Sequence, residues 1–282
     1  MSFANFYPSQ LEKRLSGDDV VNRNLILNSL SDLDLLLTGY FSLVDDAGFD
    51  RRVIGEALDI TFRHKGLDLR KNGSLYVAHP LRVSKYIIEQ FGCSNQVLVV
   101  AGLLHDVPED IPVYHNRPDL IENRFGSEVS EIVLGMTNQK LSPELKREYS
   151  ARVEAELGYN SVTTAAVIKH LEYFLGIEKK IQDPRVLVVK SADIRGNVSS
   201  IHRLDPGTRS RIAAKYAPTV DLFLEGFKGL ADLSDQLGID ANSGRDMTMT
   251  FISGRPMVEA YVQEWQHYEA QQQAFDLLLG ER

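Results

Sequence analysis

Apolar residues recur along this chain at intervals of three and four, the spacing that lines one face of an α-helix. Leu25 to Val44 carries such a stripe, and Val53 to Phe62, Leu81 to Phe91, Gln96 to His105, Ile121 to Thr137, Val162 to Ile177 and Arg209 to Phe227 repeat it. A connection rich in Gly, Ser, Asp and Asn lies within Gly229 to Gly254. Helical spacing then resumes from Pro256 to Leu279 through Val258, Val262, Trp265, Tyr268, Phe275 and Leu278. Strand-like alternation is confined to short pieces, so the pattern predicts an all-α fold. It also predicts three parts: an N-terminal helical extension over 1–48, a central helical domain over 49–228, and a linker with a C-terminal helical extension over 229–282. The tail is expected to dock on its own core, with a homodimer contact as the alternative.

One apolar run ends in a way that an ordinary core would reject. Ala101-Gly102-Leu103-Leu104 leads directly into His105-Asp106, and Glu109 and Asp110 follow three and four residues later. An imidazole nitrogen and a carboxylate oxygen suit a divalent first-row cation. Two further segments supply the same donor types. Gly73 to Pro80 places His79 just before a proline fit for the first turn of a helix. Asp183-Pro184 opens a nearly continuous apolar run that ends on Asp193, and a buried carboxylate needs a partner or a metal. His79, His105, Asp106 and Asp193 together make a four-ligand set whose two carboxylates match a divalent charge. Pro108 removes a helical hydrogen bond to Leu104 and is expected to kink or end that helix.

Composition narrows the class. The 282 residues suffice for one large domain and its own core, and the net charge of −8 argues against a nucleic-acid polymer as partner. The single cysteine, Cys93, excludes an internal disulfide and a cysteine zinc cluster. No apolar run approaches the ~20 residues of a membrane span, and Met1 to Gln10 lacks the basic start and apolar centre of a signal peptide. A cytoplasmic protein that does not enter the membrane is the expectation.

The ordered motifs resemble the HD superfamily of metal-dependent phosphohydrolases, and within it the (p)ppGpp hydrolase domain of the RelA/SpoT family and its small stand-alone relatives. Arg70, Tyr76, His79-Pro80, His105-Asp106, Glu109-Asp110, Phe125-Gly126, Val129, Asp183 to Leu187, Lys190, Ala192, Asp193 and Asn197 carry the likeness, over roughly residues 50 to 225. The resemblance implies an all-α HD-domain helical bundle. It also implies an enzyme that hydrolyses the 3′-pyrophosphate of (p)ppGpp, and of (p)ppApp as a further substrate, to the nucleotide and pyrophosphate. His79, His105, Asp106 and Asp193 would hold Mn2+, while Glu109 and Asp110 would serve the attacking water or the departing group. Arg70 would stack on the base and Lys71 would steer phosphates, although Arg70 to Gly73 also reads as a solvated turn. Asn197, one helical turn after Asp193, would bond the ribose or a phosphate.

This chain departs from the resembled pattern in places. Asp193-Ile194-Arg195-Gly196-Asn197 stands where the family usually reads Asp-Arg-Leu-His-Asn. Arg195 is thus expected near the nucleotide, with extra phosphate contacts as its role. Ile111 replaces a usual Thr. Arg147 and Tyr149 follow the Thr137 region as a basic and aromatic pair of the kind found in relatives, and join the substrate-binding candidates. No synthetase motif set follows the hydrolase motifs, so a stand-alone hydrolase is expected. The alternatives are an HD phosphohydrolase for another small nucleotide, such as a nucleoside monophosphate or NADPH, and a non-catalytic alarmone-binding protein.

Overall fold

The structure, a computed structural model, describes residues 20–66, 68–70, 73–117, 119–137 and 140–280, and the backbone alone for 20–28. Helices follow one another almost without interruption. The first half comprises α1 (Val20–Asp46), α2 (Arg51–Lys65), α3 (Ala78–Phe91), α4 (Gln96–Leu104), α5 (Val107–Asp110), α6 (Pro112–Asn116), α7 (Asp119–Phe125) and α8 (Ser127–Met136). The second comprises α9 (Pro143–Leu157), α10 (Ser161–Lys180), α11 (Pro184–Val198), α12 (Pro206–Tyr216), α13 (Val220–Lys228), α14 (Ser234–Leu237), α15 (Ser243–Val262) and α16 (Tyr268–Leu279). Among the described residues the only β feature is an isolated antiparallel bridge between Leu69 and Leu75. The fold is the all-α helical bundle that the apolar spacing predicts.

α4 is the axis of the main core. Leu98 to Leu104 are all buried, as expected of a helix that is apolar all round. Asn95 starts it by accepting the Val97 N–H at 2.9 Å, which satisfies one of the free donors at a helix N-terminus. α2, α3, α8 and α11 pack around it, and α1 covers α3. The contact with α3 is close at Gly102, where an added Cβ would lie 3.3 Å from Ser84 Cα and 2.7 Å from Ile87 Cδ1. Ser84 makes that approach polar but satisfied: its hydroxyl donates to Val99 O at 2.9 Å and pairs with the Tyr40 hydroxyl of α1 at 2.7 Å.

Two smaller cores attach the C-terminal half. Val153, Val167, Ile168 and Leu171 of α9 and α10 bury against Ala270 and Ala274 of α16. Ala213 and Ala214 of α12 bury against Val258, Val262 and Trp265. Trp265 stacks on His170 with ring centroids 4.4 Å apart, and His170 Nδ1 lies 2.9 Å from Gln271 Oε1. The tail therefore docks on its own chain, and Val162 to Ile177 packs into these cores.

The last long helix differs from the pattern reading. α15 begins at Ser243, inside the stretch read as a connection, and runs through Pro256. The Gly there is a contact residue: a Cβ on Gly244 would meet Phe227 O at 2.5 Å, so the glycine lets α15 lie against α13. Burial of Met247, Val258 and Val262 keeps the helix continuous past the proline.

Candidate metal centre and active site

Three local breaks deliver the ligand-type side chains to one place. The loop before α3 closes on itself, with Arg70 N donating to Ser74 O at 2.8 Å and Tyr76 N to Asp68 O at 2.7 Å. His79 thereby enters the core in the first turn of α3. Pro80 is tolerated there because the first four N–H groups of a helix have no intrahelical acceptor. α4 ends at Leu104, and Pro108 falls in the first turn of α5. The expected effect of Pro108 is thus realised as an ended helix, with His105 and Asp106 at the corner. α11 starts at Asp183, whose carboxylate accepts Arg185 N–H at 2.9 Å, and carries Lys190, Asp193 and Asn197 at helical spacing.

The corner residues converge. His79 Nε2 lies 3.1 Å from Asp193 Oδ1 and 3.7 Å from Asp106 Oδ2. His105 Nε2 lies 3.2 Å from Asp106 Oδ2 and 3.6 Å from Asp193 Oδ1. The two imidazoles and Asp193 are at most 4% exposed. His105 Nδ1 donates to Gly102 O at 2.8 Å, which turns Nε2 toward the carboxylates, yet that buried Nε2 makes no hydrogen bond. A buried imidazole nitrogen oriented from behind and lacking a hydrogen-bond partner is what a metal ligand requires. Two imidazoles and two carboxylates fit a divalent ion, and His79, His105 and Asp193 have their ligand atoms within 4.8 Å of one another.

Electrostatics agree. Burial opposes a charged His105, but Asp106 and then Asp193 outweigh it and push the pKa up to about 10. Burial also opposes the charge on both aspartates, yet His105 holds Asp106 below the usual carboxylate range and Lys190 does the same for Asp193. Burial lowers His79. The cluster is built to attract one positive charge, from a proton or from a cation that displaces it.

A second layer fixes the first. Lys190 Nζ donates to Asp193 Oδ2 at 2.7 Å, and Asn197 Nδ2 donates to Asp193 Oδ1 at 2.8 Å. Asn197 Oδ1 in turn accepts from Arg70 at 2.7 Å. Tyr76 donates to Asp110 Oδ2 at 2.5 Å. Arg70, Tyr76, Asp106, Asp110, Asn197 and Tyr216 line a cavity of about 340 Å³ beside the cluster. A larger cleft of about 690 Å³ between α12, α15 and α16 touches none of the cluster residues.

The remaining sequence candidates part company. Glu109 follows the corner on α5 and its charge acts on Tyr173, Lys180 and Lys215. Lys71 lies outside the described residues. Arg147 is exposed and paired with Glu144, on a shallow surface shared with Pro143 and Glu154; Tyr149 packs against the α9–α10–α16 core. Neither lines the cavity with Arg70. Arg195 also leaves it. One residue turns a helix by about 100°, so Arg195 leaves the Asp193–Asn197 face, stacks over Tyr86 at 5.0 Å and donates to Thr250 Oγ1 at 3.3 Å. Gly196 instead faces the site, where a Cβ would sit 3.4 Å from the His79 ring.

The motif reading missed Tyr173, Lys215 and Tyr216. Lys215 Nζ lies 3.9 Å from the Tyr173 ring centre and 5.2 Å from that of Tyr216. In the sequence these residues read as part of amphipathic stripes, and only the packing of α10 against α12 brings them to the site.

Comparison with known proteins follows the same residues. A 32% identical relative over 170 residues is the probable guanosine-3′,5′-bis(diphosphate) 3′-pyrophosphohydrolase of Synechocystis, covering 60% of this chain and 18% of the relative. The Haemophilus influenzae guanosine-3′,5′-bis(diphosphate) 3′-pyrophosphohydrolase is 32% identical over 179 residues, 61% of this chain and 23% of its own. The human enzyme of the same name is 31% identical over 116 residues, 40% of this chain and 62% of its own. The chain thus spans less than a quarter of the two bacterial relatives and under two thirds of the human one. A solved metazoan ortholog of SpoT superposes with a TM-score of 0.43 at 19% identity, over 73% of this chain and 97% of that one. The profile described as HD domain matches residues 57–220, from α2 into the start of α13 and across every ligand-type residue of the cluster, and this chain belongs to the HD-domain family.

Proposed function

We propose that this protein hydrolyses the 3′-pyrophosphate of (p)ppGpp to GDP or GTP and pyrophosphate, using Mn2+. The observation that carries the reading is the buried His105 Nε2, aimed without a hydrogen-bond partner into two carboxylates and a second imidazole, beside a cavity that contains Arg70 and Asp110. The names of the curated relatives supply the substrate class.

His79, His105, Asp106 and Asp193 would hold the ion. When bound, a divalent ion polarises a phosphoryl oxygen and makes water a better nucleophile at neutral pH. The chain's own groups do the rest. Asp110, fixed by the Tyr76 hydroxyl, and Glu109 share the proton transfers: one takes a proton from water as its oxygen attacks the phosphorus on the 3′-oxygen. The bond between that phosphorus and the 3′-oxygen breaks, and the other carboxyl group returns a proton to the departing nucleotide oxygen. Arg70 stacks on the base from a position braced by Asn197, and Asn197 holds Asp193 in place.

Purified protein stripped with EDTA and resupplied with Mn2+ should release pyrophosphate from ppGpp, read by product chromatography. No turnover with Mn2+, Mg2+, Zn2+ or Co2+, or release of orthophosphate alone, refutes the assignment.

A further inference from the structure

An acidic site must accept a polyanion, and on one side of the cluster Arg70 is the cation that meets it. A second set lies beside Asp193: Lys190 Nζ is 5.8 Å from the Tyr173 ring centre, and the charge of Glu109 acts on Tyr173, Lys180 and Lys215. Lys190 is already committed to Asp193, and Lys180 donates to Met136 O at 2.7 Å. Lys215 is not committed: among the described residues it makes no ion pair or hydrogen bond, and its half-buried ammonium rests on the faces of Tyr173 and Tyr216. The two rings meet edge to face at 5.7 Å, and Tyr216 lines the cavity beside the cluster.

The second observation is independent. Tyr173 is 8% exposed and its hydroxyl has no hydrogen-bond partner. A buried hydroxyl without a partner is costly, and structures tolerate it where a ligand or water completes it. Burial, then the charges of Asp193 and Glu109, raise the Tyr173 pKa, so the hydroxyl remains a protonated donor beside the cluster. Lys215 is lowered by burial to about 8 and retains its charge at neutral pH.

We propose that the Tyr173 hydroxyl and the Lys215 ammonium form an anion subsite beside the metal cluster, which holds the pyrophosphate end of the substrate. The inference rests on the proposed hydrolysis for its ligand. The aromatic walls leave Lys215 charged but unpaired, ready for a phosphate oxygen, and Tyr173 adds a neutral donor beside it. Arg70 and Asn197 would then orient the departing nucleoside while Tyr173 and Lys215 hold the pyrophosphate that water attacks.

The test is calorimetric binding of inorganic pyrophosphate to the Mn2+-loaded protein, with Lys215→Met, Lys215→Arg and Tyr173→Phe beside the wild type. Lys215→Met should weaken pyrophosphate roughly tenfold or more, as expected for a charge-assisted hydrogen bond, with Mn2+ affinity and thermal stability retained. Lys215→Arg should recover part of the loss, and Tyr173→Phe should show a smaller loss. Pyrophosphate affinity unchanged in folded Lys215→Met and Tyr173→Phe, or no pyrophosphate binding by the wild type, overturns the subsite. The two readings fail separately. Lys215-dependent pyrophosphate binding without ppGpp turnover keeps the subsite and removes the hydrolysis. Turnover with Lys215-independent pyrophosphate binding does the reverse.

Discussion

Two glycines flank the histidine pair, and the same substitution should have opposite effects at them. Gly102 on α4 lets α3 approach, whereas Gly196 on α11 faces the His79 ring. In either helix, alanine gains up to about 1 kcal/mol over glycine. At Gly102 the new methyl meets Ile87 Cδ1 at 2.7 Å and Ser84 Cα at 3.3 Å. The Ile87 side chain can rotate, but the Ser84 backbone cannot move without shifting α3, and overpacking of this kind costs about 1–3 kcal/mol. Gly102→Ala should therefore destabilise by roughly 1–2 kcal/mol net. At Gly196 the nearest atoms, His79 Cε1 and Nδ1, lie at 3.4 Å, which is ordinary contact, so Gly196→Ala should retain most of its helical gain. The two variants should differ by about 2 kcal/mol, or a separation in melting temperature of about 4–8 °C. Gly102→Ala keeps the main-chain carbonyl that orients His105, so Mn2+ affinity should fall by less than the roughly 10-fold expected when a group behind a ligand is lost. Thermal unfolding by circular dichroism in EDTA, with calorimetric Mn2+ titration, measures both. Equal melting temperatures, or a Gly196→Ala variant less stable than Gly102→Ala, would refute the packing argument.

Three further outcomes are expected. Lys190→Met leaves Asp193 buried without its cation and should cost about 3–5 kcal/mol in EDTA; saturating Mn2+ should restore part of it, and an identical loss in both conditions would contradict the charge-compensation role. Glu109→Gln and Asp110→Asn should each lower kcat by about 10²–10⁴ with Mn2+ affinity unchanged, checked by single-turnover assay and calorimetry. His170 is held by burial at a pKa of about 4, below its usual 6.5, so it stays neutral in the fold while the unfolded chain takes up a proton. Its contribution is full above pH 6.5 and is lost as the pH falls from 6.5 toward 4, by at most about 3 kcal/mol; urea unfolding at pH 7 and 4.5 should show a smaller loss in His170→Phe than in the wild type.

Much of the cluster was legible because its residues sit at breaks that leave marks in sequence. His79 precedes a proline, His105-Asp106 ends an apolar run, and Asp193 closes one. Each is a polar residue where periodicity alone requires an apolar one. Arg195 was misplaced for a helical reason: proximity to Asp193 along the chain says little about direction, and two residues turn the side chain onto the Tyr86 face. The start of α15 was hidden because Gly244 reads as a loop residue, while in the fold it makes room for a neighbouring carbonyl. Tyr173 and Lys215 carry no local mark. They come from α10 and α12, and their meeting depends on a contact between helices distant in sequence.

The arrangement of charge shows how a chain of net charge −8 would take the polyanionic substrate proposed for it. The carboxylates at the cluster are not all available to repel it. Asp193 is paired with Lys190 and accepts from Asn197, and Asp106 faces both imidazoles. A divalent ion between them would leave the cluster close to neutral, so the local field is set by the cations at its edges. Those edges differ. Arg70 is flat and braced by an amide, suited to a planar base, whereas Lys215 is a point charge on two aromatic faces, suited to phosphate oxygens. A substrate with a base at one end and a pyrophosphate at the other has only one orientation that satisfies both. In that orientation Glu109 and Asp110, adjacent on α5, would serve the bond between the two ends, with Asp110 held by the Tyr76 hydroxyl. Exchanging Arg70 and Lys215 for one another would keep the total charge and destroy this polarity, so the double variant should lose turnover where a purely electrostatic funnel would retain it.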